Sequence, residues 1–230
     1  MERGLYIAAS GMLAEQTRQE QIANDLANSS TPGYKSDRTS QHSFNELLLA
    51  NSVTGATVGP LGTSVQIGAI TTDFSPQPGR ETGEPLDFAI QGEGFFAVQT
   101  ERGLRYTRNG QFTVSPDGTL ATAQGDPVLG RGGGTIAVGP DGRVNPAALD
   151  IVLLQNPRKE GDSMVVGNPG GGGVRGQARA GALEGSGADP ARAMVDMIAS
   201  MRSFEAGQRV ITTIDSTLEK AANRVGSING

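Results

Sequence analysis

The sequence predicts an α+β protein in which a glycine-rich, mainly antiparallel β domain is flanked by N- and C-terminal coiled-coil-type helices that come together. Three observations support this prediction. Apolar residues recur every seven positions near both ends of the chain. The middle instead carries short apolar runs separated by turn residues, as antiparallel strands do. Glycine supplies 34 of the 230 residues and aromatic residues only 4%, so turns and thin sheets are favoured over a thick core.

The first predicted helix covers residues 5–27, a segment without proline. One face of this helix carries a heptad pattern, which we interpret as an assembly interface. The apolar members of that interface are Leu5, Met12, Ile22 and Leu26. Glu15 and Gln19 interrupt the same face, so we expect the isolated helix to be only marginally stable in water.

Residues 28–34 predict the end of this helix and a tight turn. Asn28 is a common helix terminator, and Pro32 cannot continue a helical hydrogen-bond ladder. The pair Pro32-Gly33 suits the two central positions of a type II turn.

Helical periodicity is missing from the middle of the chain, where we predict an antiparallel β domain of short strands. The predicted strands cover residues 86–90, 95–98, 105–107, 111–114 and 151–154. Asn109-Gly110 separates two of them, and the pairs Asp117-Gly118 and Asp141-Gly142 mark further turns.

The second predicted helix begins at Asp189-Pro190, where Asp189 can cap the helix and Pro190 suits its first turn, and it ends at Gly226. About 35 residues at 1.5 Å rise give a length of about 50 Å, far beyond a usual globular helix. Its apolar lines therefore need another helix as partner. The assembly residues that we assign to it are Met197, Met201, Phe204, Ile211, Leu218 and Val225.

These elements predict four segments along the chain. Residues 1–35 form the N-terminal helix and turn, and 36–80 form an extended linker. Residues 81–185 form the β domain, and 186–230 form the C-terminal helix that pairs with the N-terminal one.

Composition argues against several classes of function. A formal charge of −5 without a long basic run disfavours nucleic acid as a partner. No stretch approaches 18 consecutive apolar residues, so we expect no membrane insertion. The first ten residues lack a basic region followed by an apolar block, so we expect no cleaved signal peptide. Without cysteine, neither a disulfide nor a thiolate metal site is possible.

Patterns that suggest catalysis have simpler explanations. Residues 92–97 match the spacing of a dinucleotide-binding fingerprint, but an apolar strand follows where that fingerprint needs a helix, so we interpret the glycines as a turn. His42 is the single histidine and has no cysteine or carboxylate set around it, so we interpret it as a surface or interface residue. We therefore assign no catalytic, cofactor-binding or metal-binding residue and no cofactor.

Four carboxylates between residues 81 and 93 leave one enzymatic alternative open. A carbohydrate-active secreted enzyme would need two of them to face each other across a cleft. We interpret them instead as solvated turn charges. They are Glu81, Glu84, Asp87 and Glu93.

Residues 22–35 resemble the N-terminal signature of flagellar rod, hook and hook-associated proteins. The matching positions are Asn24, Leu26, Ala27, Asn28, Thr31, Pro32, Gly33 and Tyr34. Two further segments, 86–96 and 106–110, resemble β-domain motifs of rod and hook proteins. Near the C-terminal end, the similar segments are 181–184, 194–198 and 204–206.

This resemblance implies a non-enzymatic structural subunit of the bacterial flagellar basal body. Such a subunit would pass unfolded through the flagellar type III export apparatus and join copies of itself and other rod and hook axial proteins. The product would be a homo-oligomeric helical polymer, the rod or drive shaft that transmits motor torque to the hook.

Two features bear on the type of rod protein. Residues 44–68 favour the distal type, whereas the short chain, with a compressed region after Ile151, favours the proximal type. We prefer the distal type. The alternative within the same class is a hook or adaptor axial protein, which would share the terminal segments and differ in the middle.

Overall fold

A computed structural model describes residues 2–50, 57–161, 163–170, 173 and 175–226 of the chain, with the backbone alone for 2, 3, 41–50, 57–64, 66 and 224–226. The described residues fall into two compact units. Unit 1 draws on Met1–Leu26, Asp37–Thr71 and Pro190–Gly230, and unit 2 on Ala27–Ser36 and Thr72–Asp189.

Along the described chain, one long helix precedes thirteen strands and a second long helix follows them. Helix α1 covers Glu2–Ala27. The first seven strands are β1 (Asp37–Ala50), β2 (Thr57–Thr72), β3 (Gly79–Glu81), β4 (Phe88–Gln91), β5 (Phe95–Thr100), β6 (Gly103–Thr107) and β7 (Phe112–Val114). After them come β8 (Leu120–Thr122), a 3₁₀ turn (Pro146–Ala148), β9 (Ile151–Val152), β10 (Leu154–Gly161), β11 (Met164–Pro169), β12 (Gln177–Ala180), β13 (Ala182–Glu184) and helix α2 (Pro190–Gly226).

Both predicted helices are present, and the architecture is α+β with mainly antiparallel pairing. Helix α2 begins at the predicted Pro190 and ends at the predicted Gly226, with a length of 37 residues. Among the described helices, none combines the length and apolarity that a membrane crossing requires.

The chain leaves α1 through the predicted turn. The Thr31 amide donates to the Asn28 carbonyl at 3.1 Å, and the Tyr34 amide donates to the Thr31 carbonyl at 3.3 Å. Gly33 adopts φ +66°, the left-handed conformation that the second central position of a Pro-Gly turn requires.

In unit 1, two long strands occupy most of the segment for which the sequence suggested an extended linker. Strands β1 and β2 pair with each other as a separate two-stranded sheet. The pairing was hard to predict because no short turn signal links these strands and because their apolar residues do not alternate cleanly.

Unit 2 is built around a five-stranded sheet with the order β10-β11-β6-β5-β9, in which every pair is antiparallel. Three two-stranded sheets, β12-β4, β13-β3 and β7-β8, complete the described strands of this unit. The predicted strands in the range 86–114 correspond to β4 through β7. Asn109-Gly110 follows β6 and precedes β7, but these strands belong to different sheets, so this pair is not a hairpin turn.

The core of unit 2 lies around aromatic residues of β4, β5 and β7. The rings of Phe96 and Phe112 meet edge to face at 5.3 Å between centroids, and those of Phe88 and Phe112 lie 6.1 Å apart. A second cluster on the other side of β5 contains Phe95 and Tyr106. Both clusters gather strands from distant parts of the sequence, which gives unit 2 a hydrophobic core of its own.

Candidate functional site

In unit 1, the two terminal helices contact each other through small and polar residues. The Ser200 hydroxyl donates to the Glu15 carboxylate at 2.6 Å. A methyl group at Gly207 would lie 2.7 Å from Met12 Cγ, so a larger residue at this position would require the Met12 side chain to shift. Helices α1 and α2 therefore come together, as the sequence predicts.

The line of α2 residues that meets α1 differs from part of the sequence interpretation. The predicted line through Phe204 and Ile211 is half-buried. The line that contacts α1 beside it, however, runs through Ser200 and Gly207, while Met201, which the sequence also assigns to the assembly interface, is 51% exposed. A search for hydrophobic patterns looks for large apolar side chains. It therefore misses a contacting line that is made of small residues such as Ser200 and Gly207.

The other proposed assembly residues occupy a range of environments in unit 1. Leu5 and Leu218 are exposed, whereas the remaining described ones are half-buried. The half-buried residues are Met12, Ile22, Leu26 and Met197. Val225 lies within α2, but its side chain is outside the described residues.

Further apolar side chains of the helices face solvent. The exposed large ones are Tyr6, Leu13, Met194, Val195, Ile198 and Val210. Beside them, an open groove of 420 Å³ is lined by residues of α1, α2 and β2, among them Ile7, Met12 and Val65. Apolar surface in this amount is typical of a face that another molecule covers.

In unit 2, three charged side chains meet in a buried cluster, which we call the charge cluster: Lys35, Arg108 and Glu184. Lys35 Nζ lies 2.6 Å from Glu184 Oε1, and an Arg108 terminal nitrogen lies 2.9 Å from Glu184 Oε2. The exposed fraction of each residue is 4% or less. One carboxylate therefore contacts two cations away from water.

Backbone groups complete the hydrogen bonding of the charge cluster. The Gln77 amide donates to Glu184 Oε1 at 3.0 Å, and Lys35 Nζ donates to the Ser75 carbonyl at 2.7 Å. Arg108 donates to the Gly92 carbonyl at 3.0 Å. Burial lowers the pKa of Lys35, and the neighbouring Glu184 carboxylate opposes that change.

Arg108 also packs its guanidinium over an aromatic ring, with 5.2 Å between its central carbon and the centroid of Phe95. Its Nε is buried and has no hydrogen-bond partner within the part of the chain that the structure describes. The guanidinium is therefore held by the two terminal nitrogens and by the ring.

Tyr34 is the second buried side chain of the turn after α1. Lys159 Nζ lies 4.0 Å from the centroid of its ring and donates to the Lys35 carbonyl at 2.9 Å. The Gly187 amide donates to the Tyr34 carbonyl at 2.8 Å, and the Ser186 hydroxyl donates to the Asn28 carbonyl at 2.8 Å. The residues that follow α1 and those that precede α2 are thus bonded to each other.

Two glycines allow this close packing. A methyl group at Gly33 would lie 2.3 Å from the carbonyl carbon of Arg108. One at Gly110 would lie 1.7 Å from the Phe88 carbonyl oxygen. The Phe88 amide in turn donates to the Gly110 carbonyl at 3.0 Å. Both glycines belong to the motif segments of the sequence, and the approach of another backbone explains their identity.

The motif residues of the N-terminal signature range from exposed to buried. Gly33 and Tyr34 are buried, whereas Asn24 and Ala27 are exposed. The half-buried motif residues are Leu26, Asn28, Thr31 and Pro32. The sequence interpretation did not identify the charge cluster, although Lys35, Arg108 and Glu184 each lie in one of the three motif segments. The available signal was that Arg108 and Glu184 are the single charges of segments 106–110 and 181–184 and that Lys35 directly follows the Pro-Gly-Tyr turn.

The residues considered for catalysis are not brought into one cleft. Glu81, Glu84 and Glu93 are exposed, and Glu81 forms an ion pair with Arg179 at the surface. Asp87 is buried, which corrects its interpretation as a solvated turn charge, because it immediately precedes the core strand β4. Among the described residues, no set of three or more His, Asp or Glu side chains could hold a metal ion.

Two further candidates from the sequence are the glycines of the dinucleotide-like motif and His42. Gly92 and Gly94 both have positive φ and lead into strand β5, so no dinucleotide-binding helix follows them. His42 lies within strand β1, and its side chain is outside the described residues.

Three families match successive parts of the chain. Residues 5–35 match the family described as "Flagella basal body rod protein". Residues 89–156 match "Flagellar hook protein FlgE/F/G D1 domain", and residues 179–224 match "Flagellar basal body rod FlgEFG protein C-terminal". These matches contain the turn after α1, Arg108 and Glu184, respectively.

Several known proteins are similar over nearly the whole chain. The identity to the flagellar basal-body rod protein FlgG of Bacillus subtilis (strain 168) is 32%, over 97% of this chain and 99% of that protein. Two proteins named flagellar basal-body rod protein FlgF align over the full length of both chains. They come from Salmonella typhimurium, with 32% identity, and from Caulobacter vibrioides, with 30% identity.

Proposed function

The chain belongs to the flagellar basal-body rod protein family, and on that premise we propose that it polymerises through its terminal helices into the helical drive shaft that transmits motor torque to the hook. At the coarser level, it is a structural protein of the flagellar rod and hook family and a component of the basal body. That family membership implies assembly with other flagellar axial proteins.

The observation that carries the proposal is the apolar surface of unit 1. Helices α1 and α2 contact each other, yet Met194, Ile198 and Met201 remain exposed along α2. A neighbouring copy that covers this line with a different surface of its own makes a head-to-tail contact. Repetition of such a contact without ring closure produces a helical filament.

The rod type that we propose is distal, with the proximal type as the alternative. Residues 44–68 support the distal type. The relatives include proteins named FlgG and proteins named FlgF, so similarity supports a rod protein of either kind. We also propose that the chain reaches the rod through the flagellar export apparatus.

We propose no catalytic activity, cofactor or metal for the chain. The hook or adaptor alternative and the carbohydrate-active alternative predict different experimental results. A hook or adaptor protein would lie beyond the end of the rod. A glycoside hydrolase would lose activity on polysaccharides when Glu93 is replaced by Gln, because its mechanism needs two carboxyl groups.

Position-specific cross-linking in isolated basal bodies tests the proposal. A photoreactive group at exposed Ile198 is expected to give cross-links to further copies of the chain and to other rod proteins. Cross-links to hook proteins alone would contradict assignment to the rod. The same group at exposed Thr217, which lies on a different face of α2 from Met194, Ile198 and Met201, is the matched control and is expected to cross-link far less.

A further inference from the structure

Several contacts of the turn after α1 are with one short segment late in unit 2. The Gly33 amide donates to the Glu184 carbonyl at 3.0 Å, and the Gly187 amide donates to the Tyr34 carbonyl at 2.8 Å. The Lys35 ammonium meets the Glu184 carboxylate at 2.6 Å across a sequence separation of 149 positions. Residues 184–187 thus hold the turn together with Lys159 and the Ser75 carbonyl.

The late segment has supports that do not involve the turn. Strand β13 pairs with β3 over three positions. The Gly185 amide donates to the Pro78 carbonyl at 3.0 Å, and the Gly181 amide donates to the Asp87 carbonyl at 2.8 Å. Glu184 also has Arg108 as a counter-ion at 2.9 Å. The dependence is therefore asymmetric, since β13 can pair without the turn, whereas the turn without this late segment loses the Glu184 carboxylate and its hydrogen bonds with Glu184, Ser186 and Gly187.

Charge strengthens this asymmetry. Lys35 and Arg108 carry the same sign, and their mutual repulsion acts on Lys35. Within the described residues, Glu184 is the carboxylate that contacts both cations directly. Docking the turn before Glu184 arrives would place a second buried cation beside Arg108 without a contacting counter-ion, which is strongly unfavourable.

We propose that Glu184 makes docking of the N-terminal turn conditional on the C-terminal segment of unit 2, so that the turn docks last. In a chain made from its N-terminus, the segment behind α1 then stays undocked until residue 187 has emerged. The N-terminal turn is thereby prevented from docking on a unit 2 that still lacks its C-terminal segment. This ordering is independent of whether the chain polymerises.

Amide hydrogen exchange of the full-length chain tests this ordering with two variants. Glu184→Gln is expected to accelerate exchange at the Gly33 and Gly187 amides by at least about tenfold, while strands β5 and β6 keep their protection. Gly33→Ala blocks docking sterically, because its methyl group would meet the Arg108 backbone. It is expected to release the Gly187 amide equally but to leave the Gly185 amide protected.

Glu81→Gln is the matched control, because Glu81 is an exposed carboxylate that pairs with an arginine at the surface. It is expected to leave exchange at Gly33 and Gly187 unchanged. Three results would overturn the proposal. They are unchanged exchange at Gly187 in Glu184→Gln, equal release of β5 and β6 in that variant, and equal release of Gly185 and Gly187 in Gly33→Ala.

A double variant separates charge from simple packing. Adding Lys35→Met to Glu184→Gln removes one of the two cations that have lost their carboxylate. If charge enforces the order, exchange at Gly187 is slower in the double variant than in Glu184→Gln alone. If the two effects merely add, so that the double variant exchanges faster, charge is not the cause and the proposed role of Glu184 fails.

Discussion

At the residue scale, the charge cluster is better understood as a source of specificity than of stability. Removing two cations and a carboxylate from water costs several kcal/mol for each ion, and their mutual attraction offsets this cost only with good geometry. Lys35 and Arg108 both lie within hydrogen-bond distance of Glu184. Any other partner for these cations leaves a buried charge unpaired, so the cluster selects one docked arrangement of the turn.

Gly110 provides a residue-scale prediction about packing. Gly110→Ala places a methyl group 1.7 Å from the Phe88 carbonyl oxygen, so backbone must move. We expect the free energy of unfolding to fall by at least about 3 kcal/mol, the range of severe core strain. The matched control is Gly134→Ala, where nothing lies within 4 Å of the added methyl. Urea denaturation of both variants measures the difference, and equal stability would refute the packing account of Gly110.

The identity of single residues could be predicted from sequence only in part. The Pro32-Gly33 turn was predictable because the constraint is local, and φ +66° at Gly33 agrees with it. The partners of Lys35, Arg108 and Glu184 were not predictable. Their pairing depends on the topology that brings β13 beside the turn. That topology cannot be inferred from how far apart these residues are in the sequence.

At the element scale, local sequence patterns predicted both helices and several of the strands. They did not predict the strands that depend on pairing with another strand. The helices were predictable from their heptads and from Asp189-Pro190, and strands β4 to β7 from apolar runs between turns. Strands β1 and β2 were not predicted, because they pair with each other as a separate sheet and no short turn signal links them in the sequence. The contacting line of α2 was also missed, because Ser200 and Gly207 are small.

Strand β6 gives a prediction about pH. Burial, aided by the charge of Asp150, raises the pKa of Tyr106 above its ordinary value of about 10. The unfolded chain therefore loses its tyrosine proton first as pH rises. The stability contributed by neutral Tyr106 is complete below about pH 10 and is lost as pH rises from there through the folded-state pKa.

Replacing Tyr106 by Phe is expected to remove that part of the alkaline loss. Urea denaturation at about pH 8 and about pH 10.5 gives the change in unfolding free energy for the native chain and the variant. Tyr6→Phe is the control, because Tyr6 is 71% exposed. An alkaline loss in Tyr106→Phe as large as that of the native chain would show that Tyr106 is not responsible.

At the scale of the whole molecule, the chain combines a β unit that has its own core with a helical unit that leaves apolar surface uncovered. Residues 27–36 belong to the β unit, so the turn that the sequence grouped with the N-terminal helix packs in unit 2. The sequence pattern alone could not place this boundary, because the buried contacts of Tyr34 and Lys35 are with residues far along the chain.

The most direct test of polymerisation through the terminal helices is basal-body assembly in cells that carry Met201→Asp as their sole copy of the chain. Met201 is 51% exposed, so the charge disturbs the isolated chain little, which circular dichroism can verify. In an assembled interface, the substitution removes an apolar contact worth about 1.5–3 kcal/mol and adds an unpaired buried charge. We predict that rods fail to form with Met201→Asp and form normally with the control Thr217→Asp, whose side chain lies on a different face of α2. Normal rods and motility with Met201→Asp would contradict the account.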